Sequence, residues 1–289
     1  MKSSVEVGQC ATLACLLEVT VPKPGNVHRG ADFEDLTFAD FAAAAVAIGP
    51  AMVAAADGRS LGDCVLEAVQ ATRRWCATNV NLGIVLLLTP IAASASSATS
   101  IESVHAGVRD ALKRLTPDDA AQVYEAIRLA NPGSLGKVDE ADVSTAAPVD
   151  LLHAMRLAAN RDLVARQYAD GFAELFDVIT PELRRNVTVC SGLADAVIRT
   201  QLAVMRQFPD SLIARKCGLT AAKEVAVAAG QVLEAATAGE EAFQETLADF
   251  DFWLRSDGHR RNPGTTADLL AAALFVLLLT DEIPQPIRL

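Results

Sequence analysis

The amino-acid sequence predicts an all-α fold, and three observations support this prediction. Hydrophobic residues make up 51% of the 289 residues, and most of them are Ala, Leu and Val. Aromatic residues make up only 5%, whereas strands favour aromatic and β-branched side chains. Apolar residues recur at helical spacing, and no segment shows a convincing apolar–polar alternation. We therefore expect a single domain, residues 1–289, built from about ten helices.

The predicted helices follow one another with short connections. They cover residues 5–19, 38–48, 61–76, 84–88, 104–115, 118–130, 149–179, 180–206, 223–238 and 240–254, and a buried apolar helix follows at 269–279. Thr37 and Asp40 are expected to cap the second helix, and Gly49 with Pro50 to interrupt it. Residues 94–103 are expected to form a polar linker, and residues 131–136 a loop without a phosphate-loop pattern.

Composition argues against several classes of protein. A net charge of -11 and a pI near 4.8 argue against a broad surface for nucleic acid or for an acidic membrane. The six cysteines form no C-x-x-C pair and the four histidines lack zinc-ligand spacing, so reduced thiols in a cytoplasmic protein are expected. No apolar segment of a secretory signal follows Lys2, and the apolar runs 41–56 and 269–279 are expected to be core helices.

Three polar loops and one asparagine pair concentrate the groups that could perform chemistry. These are residues 23–32, 210–218 and 260–268, together with Asn79 and Asn81. The last loop leads into the buried helix, where Thr265 and Asp268 have the spacing of a capping box. A helix N-terminus favours anions, because its free N–H groups and its positive dipole end both attract negative charge. If these segments meet in space, they form one anion-binding site in an acidic protein.

The residue types in these segments suit a nucleotide polyphosphate. Lys23, Arg215, Lys216, Arg260 and Arg261 could bind phosphates, and Asp32, Asp210 and Asp268 could bind Mg²⁺. Mg²⁺ prefers one or two carboxylates together with substrate phosphate oxygens, as in ATP complexes. Glu18 lies near the end of a mostly apolar helix, where a carboxylate needs a partner. Structural alternatives stay open: the first loop as a rigid connector, the asparagines as helix caps, and the last segment as an ordinary capped core helix.

Four segments resemble, in order, the successive motifs of the triphosphoribosyl-dephospho-CoA synthase family. They are residues 18–27, 79–83, 210–218 and 262–271, and they span nearly the whole chain. The resemblance implies an all-helical enzyme that joins the triphosphoribosyl part of ATP to a ribose hydroxyl of 3′-dephospho-CoA and releases adenine. It also implies that the product is the precursor of the prosthetic group of citrate lyase and malonate decarboxylase.

The resemblance also implies a set of site residues. Motif positions carry over to Glu18, Lys23, Gly25, Asp32, Asn79, Gly83, Asp210, Arg215, Gly218, Pro263, Gly264, Ala267 and Asp268. Together with the residue types, this gives catalytic candidates Asp32, Asp210 and His28, and Mg²⁺ ligands Asp32, Asp210 and Asp268. Substrate contacts are expected from Glu18, Lys23, Gly25, Asn79, Asn81, Arg215, Lys216, Asn262, Gly264, Thr265 and Thr266.

The sequence departs from the family pattern in its second motif. Asn81 and Leu82 stand where the family has a histidine and a lysine, which resembles variants from organisms with methanopterin-type one-carbon cofactors. Two alternatives therefore stay open: an ATP-dependent phosphoryl or ribosyl transferase in methanopterin-type cofactor biosynthesis, and a non-catalytic nucleotide-binding helical protein. The expected partners are small-molecule nucleotides and a second copy in a homodimer, with no nucleic acid and no membrane.

Overall fold

The computed structural model describes residues 1–95, 99–132, 140–145 and 147–289, and these residues are predominantly helical. Within these ranges no β-strand occurs, and only two isolated bridges are present, His28 with Ala31 and Phe33 with Leu36. The first helices are α1 (Ser4–Thr20), α2 (Phe38–Ala56), α3 (Leu61–Arg73), α4 (Leu82–Ala95), α5 (Ile101–Lys113) and α6 (Pro117–Ala130). The prediction of an all-α fold is confirmed.

The second half of the chain contains eight further α-helices among the described residues. They are α7 (Leu151–Ala158), α8 (Leu163–Asp170), α9 (Thr180–Val189), α10 (Leu193–Gln207), α11 (Ser211–Cys217), α12 (Leu219–Ala235), α13 (Glu240–Arg255) and α14 (Gly264–Leu279). A π-helical turn, Leu175–Ile179, precedes α9, and a 3-10 turn, Ala236–Ala238, follows α12. The expected count of about ten helices was too low.

Two predicted long helices are each interrupted by a non-helical backbone segment. The pattern of apolar residues gives no sign of these interruptions. The predicted helix 149–179 is divided where Gly171 and Phe172 adopt φ values of 68° and 64°, which no α-helix can accommodate. Earlier in the same run, Asp162 begins α8 by accepting hydrogen bonds from Val164 N and Ala165 N. The predicted helix 180–206 is divided at residues 190–192, immediately before α10.

Gly49 and Pro50 do not interrupt α2, so that prediction was wrong. Gly49 is needed for packing, because a Cβ at this position would lie 2.9 Å from Thr12 Oγ1 on α1. Pro50 has no N–H to donate to the Val46 carbonyl, but Val46 is 63% exposed and water can satisfy that carbonyl. The Thr37 capping box with Asp40 is present as predicted.

Two predicted connections lie partly outside the described residues. In the predicted linker 94–103, α4 continues to Ala95 and Ser100 caps α5, while residues 96–98 are not described. In the predicted loop 131–136, Asn131 ends α6 in the left-handed conformation with φ 46°, and residues 133–136 are not described.

Helix α14 is the centre of the molecule. Every residue from Leu269 to Leu279 is buried, and α14 packs against α1, α4, α5, α8, α9, α10 and α11. A connected cluster of buried hydrophobic side chains extends from Val7 to Ile283. The prediction of a buried apolar C-terminal helix is confirmed, and this helix gives the loops at its N-terminus a fixed support.

Helix α2 is the one described helix that is long and apolar enough to cross a membrane, judged by length and composition. It packs against α1, α3 and α4, and a core helix of a soluble protein has the same character. The six cysteines are all free thiols.

Candidate functional site

A cleft of about 540 Å³ opens where the ends of several helices meet. The C-terminal end of α1 forms part of its wall, together with α11 and the N-terminal ends of α4, α8 and α14. Helix N-termini carry unpaired N–H groups and a partial positive charge. The cleft is therefore suited to an anionic ligand in a protein of net negative charge.

The cleft brings together most, but not all, of the predicted site residues. Those that line it are Glu18, Asn79, Asn81, Arg215, Lys216, Asn262, Gly264, Thr265 and Asp268. Those outside its lining are Lys23, Gly25, His28, Asp32, Asp210 and Thr266. Arg260 and Arg261 also lie outside it, bound to Asp257 and to the Trp253 carbonyl. Each of the residues outside has a structural contact that accounts for its position.

Glu18 has the partner that its buried position requires. Its Oε1 lies 2.9 Å from Lys23 Nζ, and Lys23 is fully buried. Lys23 also donates to the Glu18 carbonyl at the end of α1, so the ammonium group caps that helix. Lys23 therefore supports Glu18 from behind and does not itself reach the cleft.

Asp210 joins the N-terminal ends of two helices. Its Oδ1 accepts from Leu212 N at 2.8 Å and Ile213 N at 3.1 Å, at the start of α11. Its Oδ2 accepts from Thr266 N at 2.7 Å and Thr266 Oγ1 at 2.8 Å, at the start of α14. Asp210 is thus the N-cap of α11, and both of its carboxylate oxygens accept hydrogen bonds in this structural role.

The predicted capping box of Thr265 and Asp268 was wrong. Helix α14 begins at Gly264 and no side chain of its own sequence caps it. Thr265 Oγ1 instead accepts from Ser211 Oγ at 3.0 Å, and Asp210 satisfies Thr266 N. Because another segment supplies the cap, the carboxylate of Asp268 is free to face the cleft.

The remaining first-loop candidates hold the loop in shape. Gly25, with φ 76°, donates its N–H to Asp251 Oδ1 at 2.7 Å, and a Cβ there would collide with Leu254 and Pro263. His28 Nδ1 accepts from Gly30 N at 3.1 Å, and burial lowers the pKa of this imidazole. Asp32 Oδ1 accepts from Phe38 N at 2.6 Å, at the start of α2.

Amide side chains connect the loops at the cleft wall. Asn26 Nδ2 donates to Asn262 Oδ1 at 2.7 Å, and Gln201 Nε2 of α10 donates to Asn26 Oδ1 at 2.8 Å. Asn79 Oδ1 accepts from Leu82 N at 3.0 Å and so caps α4, while Asn81 Nδ2 donates to Thr72 Oγ1 at 3.1 Å. These bonds explain why so many asparagines occur at the mouths of apolar helices.

Asp268 is the least satisfied carboxylate of the cleft. It accepts no hydrogen bond within the described part of the chain, and a Cβ on Gly83 of α4 would collide with its Oδ2. Burial raises the pKa of Asp268 well above its usual value, and the nearby carboxylates of Glu18, Asp210 and Asp162 raise it further. Asp268 still lines the cleft, so a ligand can reach the carboxyl group.

Arg215 and Lys216 form a basic wall on α11. Arg215 forms an ion pair with Asp162 through Nη1, and its buried Nε has no hydrogen-bond partner in the described structure. Lys216 Nζ lies 3.1 Å from His259 Nδ1, and burial lowers the pKa of this lysine. Both side chains line the cleft, opposite in charge to the Glu18 and Asp268 carboxylates.

The predicted metal ligands do not assemble into one group. Asp32 and Asp210 cap helices, and only Asp268 of the three lines the cleft. No group of three or more His, Cys, Asp or Glu side chains among residues 1–95, 99–132, 140–145 and 147–289 is arranged to hold a metal ion.

Comparison with known proteins assigns this chain to a family. Residues 4–286 match the family model described as ATP:dephospho-CoA triphosphoribosyl transferase. The chain belongs to this family. The motif resemblance found in the sequence is therefore confirmed, and the protein is a transferase whose family uses ATP and dephospho-CoA as small-molecule substrates.

Individual relatives agree with the family assignment. A protein of Stutzerimonas stutzeri (strain A1501), named "Probable 2-(5''-triphosphoribosyl)-3'-dephosphocoenzyme-A synthase", is 27% identical over 92% of this chain and 88% of its own length. A relative of the same name from Pseudomonas syringae pv. tomato is 31% identical over 39% of this chain and 38% of its own. A crystal structure from Archaeoglobus fulgidus, provisionally assigned as a triphosphoribosyl-dephospho-CoA synthase, has 28% identity and a TM-score of 0.63, covering 82% of this chain and 98% of that one.

The cleft contains residues that the sequence did not single out. Asp162, Asp35 and His259 all line it. Asp162 could have been found only by recognising a helix N-cap inside an apparently continuous helical run. The part of the cleft formed by α6, α7 and α8 is mainly apolar and is lined by Tyr124, Ile127, Ala130, Leu151, Ala154, Met155, Ala158 and Val164. Glu140 and Arg161 also line the cleft. The cleft thus joins a charged end to a mainly apolar end.

Proposed function

We propose that this cleft transfers the triphosphoribosyl group of ATP to 3′-dephospho-CoA, or to a related cofactor precursor, and releases adenine. The observation that supports this most directly is the charged end of the cleft. There, the basic side chains of α11 face two carboxylates, Glu18 and Asp268, that have different surroundings. A ribosyl transfer from a nucleoside triphosphate needs both features.

The reaction breaks one bond to the anomeric carbon and forms another. The C1′–N9 bond of ATP breaks, its electron pair goes to adenine, and adenine takes up a proton. The acceptor ribose hydroxyl forms the new C1′–O bond and loses its proton. Such a substitution passes through an oxocarbenium-like state, so it needs an acid for the leaving group and negative charge near C1′.

Two carboxyl groups with different environments can divide these tasks. The pKa of Asp268 is raised, so this group retains a proton to higher pH than an ordinary aspartate and is suited to donate it to adenine. Glu18 forms a buried ion pair with Lys23, which keeps a negative charge in the wall beside it. We assign Asp268 as the acid and Glu18 as the stabilising carboxylate, with Lys23 as the residue that positions Glu18.

The triphosphate is assigned to the basic wall and the helix N-termini. Arg215 lines the cleft with a positive charge, and Lys216 lies beside it on α11. Gly264 and Thr265 begin α14 at the same end of the cleft, where N–H groups can bind phosphate oxygens. The apolar end between α6, α7 and α8 then accommodates the acceptor. In this assignment His28, Asp32, Asp210 and Thr266 support the site from behind and do not contact the reacting atoms.

Magnesium fits this cleft as an ion that arrives with the triphosphate. Mg²⁺ needs only one or two carboxylates when phosphate oxygens and water complete its octahedron. Glu18 is a hard oxygen donor at the charged end. We therefore propose Glu18 as the carboxylate that binds Mg²⁺, in place of Asp32, Asp210 and Asp268, because Asp268 must keep its proton to act as the acid.

The test is product analysis with the full chain, which we propose acts as one domain of residues 1–289. The protein is incubated with ATP, Mg²⁺ and dephospho-CoA, and the mixture is analysed by chromatography and mass spectrometry. We expect the products to be free adenine and an acceptor enlarged by one triphosphoribosyl group. ADP or AMP as the nucleotide product would instead indicate a kinase or a ligase and would overturn the proposal. Parallel incubation with a pterin acceptor tests the alternative cofactor pathway.

A further inference from the structure

Three side chains from three separate segments form a continuous chain at the charged end of the cleft. Lys216 Nζ lies 3.1 Å from His259 Nδ1 and donates to the His259 carbonyl at 3.2 Å. On the other side of the ring, His259 Nε2 lies 3.4 Å from Asp35 Oδ2. All three residues line the cleft. The arrangement connects α11, the loop before α14 and the loop before α2.

We propose that His259 positions Lys216 to bind a phosphate group of the donor triphosphate, and that Asp35 fixes the orientation of His259. This inference rests on the proposed function, because it names how one phosphate-binding residue of that site is held. No motif that the sequence shares with the family includes His259 or Asp35.

The hydrogen-bond geometry defines the state of the imidazole. An ammonium group has three donors and no acceptor, so the Nδ1 that faces Lys216 must carry a lone pair. The proton of the neutral ring then lies on Nε2, which faces the Asp35 carboxylate. The Asp35 Oδ2 atom, 3.4 Å from Nε2, is close enough for its negative charge to favour a proton on Nε2, and so to favour this tautomer and this ring orientation.

The same geometry leaves one donor of Lys216 for a ligand. Two of its three N–H groups are directed to Nδ1 and to the carbonyl of His259, and the third has no acceptor in the described part of the chain. Lysine has a long flexible side chain, so fixing it in advance reduces the conformational entropy lost on binding phosphate. Burial lowers the pKa of Lys216, Asp35, Cys217 and Asp210 act to raise it, and Arg215 lowers it further.

Aromatic packing holds the Asp35 loop against the imidazole. The Phe33 ring lies 5.6 Å from the His259 ring, centroid to centroid, and the Arg255 guanidinium lies 5.2 Å from the centre of the Phe33 ring. Asp35 therefore approaches His259 on a supported loop, although its side chain is 51% exposed.

The experiment measures the binding of inorganic tripolyphosphate, and separately of adenosine, by calorimetry. His259→Asn retains an oxygen near the position of Nδ1, whereas His259→Gln places its amide near Nε2 and His259→Leu retains neither. We expect His259→Gln and His259→Leu to bind tripolyphosphate about tenfold more weakly, and His259→Asn to remain within about threefold of wild type. Adenosine binding should be unchanged in all three.

Asp35→Asn is compared with Asp257→Asn, a control of equal charge change on a neighbouring, partly exposed residue outside the cleft. Only Asp35→Asn should weaken tripolyphosphate binding, and in the full reaction it should raise KM for ATP more than it lowers kcat. Wild-type affinity in His259→Leu, equal losses in the Asn and Gln variants, or no tripolyphosphate binding by the wild type would each overturn the proposal. Tripolyphosphate binding that depends on His259, without adenine release, would instead remove the proposed function and leave this inference standing.

Discussion

Two aspartates at the N-terminal end of α14 have opposite surroundings. Asp210 is 1% exposed and accepts four hydrogen bonds, two from the start of α11 and two from Thr266. Asp268, one turn into α14, accepts none from the described residues and lies near other carboxylates. The same residue type is therefore used once to join helices and once to present an unsatisfied acid to a cleft.

The electrostatics follow the same division. Burial raises the pKa of both carboxyl groups. At Asp210 the hydrogen bonds from Thr266 and Ile213 lower the pKa again. At Asp268 the charges of Glu18, Asp210 and Asp162 raise it further. A group that the fold leaves unsatisfied at a cost in stability is a candidate for chemistry, whereas a fully bonded group is a candidate for structure.

The largest expected effect separates the two aspartates by activity. Asp268→Asn should slow adenine release about 10²- to 10⁴-fold, because the amide cannot donate an acidic proton to the leaving group. The helical circular dichroism should stay as in the wild type, since no structural hydrogen bond is lost. Wild-type turnover in Asp268→Asn would remove this residue from the reaction. Lys23→Ala is the companion variant, because it leaves Glu18 as an unpaired buried carboxylate, and we expect it to abolish turnover.

The next largest effect distinguishes Asp210 from Asp268 by the free energy of unfolding of their variants. Asp210→Ala should lower the free energy of unfolding by about 3 kcal/mol, because four donors at two helix N-termini lose their acceptor. Asp210→Asn keeps one acceptor oxygen and should lose about half as much. Urea denaturation of both variants, with Asp268→Asn measured alongside, provides the check. If Asp210→Ala were as stable as Asp268→Asn, the two carboxylates would not differ in the way described here.

Local sequence rules were sufficient for much of the fold. Composition and helical spacing gave the all-α class and the buried α14, and the N-caps at Thr37 and Asp210 follow from the residues that come next in the chain. The same rules failed where the decisive contact comes from a distant segment. Gly49 was interpreted as a break because its packing partner, Thr12, lies on another helix. Thr265 was interpreted as a cap because the true donor to its oxygen, Ser211, is 54 residues away.

The candidate site shows the same limit. The polar loops could be recognised from the density of charge, and nine of the predicted residues line the cleft. The sequence could not indicate which charged side chains would pair with other residues of the protein and so be unable to bind a ligand, because that depends on burial. Lys23 was predicted as a phosphate ligand, yet it lies fully buried against Glu18. His259 was not predicted, since a single histidine in a basic loop gives no sign of its neighbours Lys216 and Asp35.

The smallest expected effect tests the charge state of Asp268 through the pH dependence of stability. Its pKa is raised in the folded protein above the ordinary value of 3.8, so above pH 4 the folded state holds a proton that the unfolded chain has released. The stabilisation from this proton is complete below the unfolded pKa and is lost as the pH rises through the folded pKa. Asp268→Asn has no such proton, so its unfolding free energy relative to wild type should increase from pH 4 towards pH 7, by at most about 1.4 kcal/mol per pH unit.

Asp210 changes stability with the same sign but is present in both proteins, so the difference between the two curves reports Asp268. Parallel curves in urea denaturation across this range would mean that the cleft does not hold Asp268 protonated, and the acid would have to be sought elsewhere in the cleft.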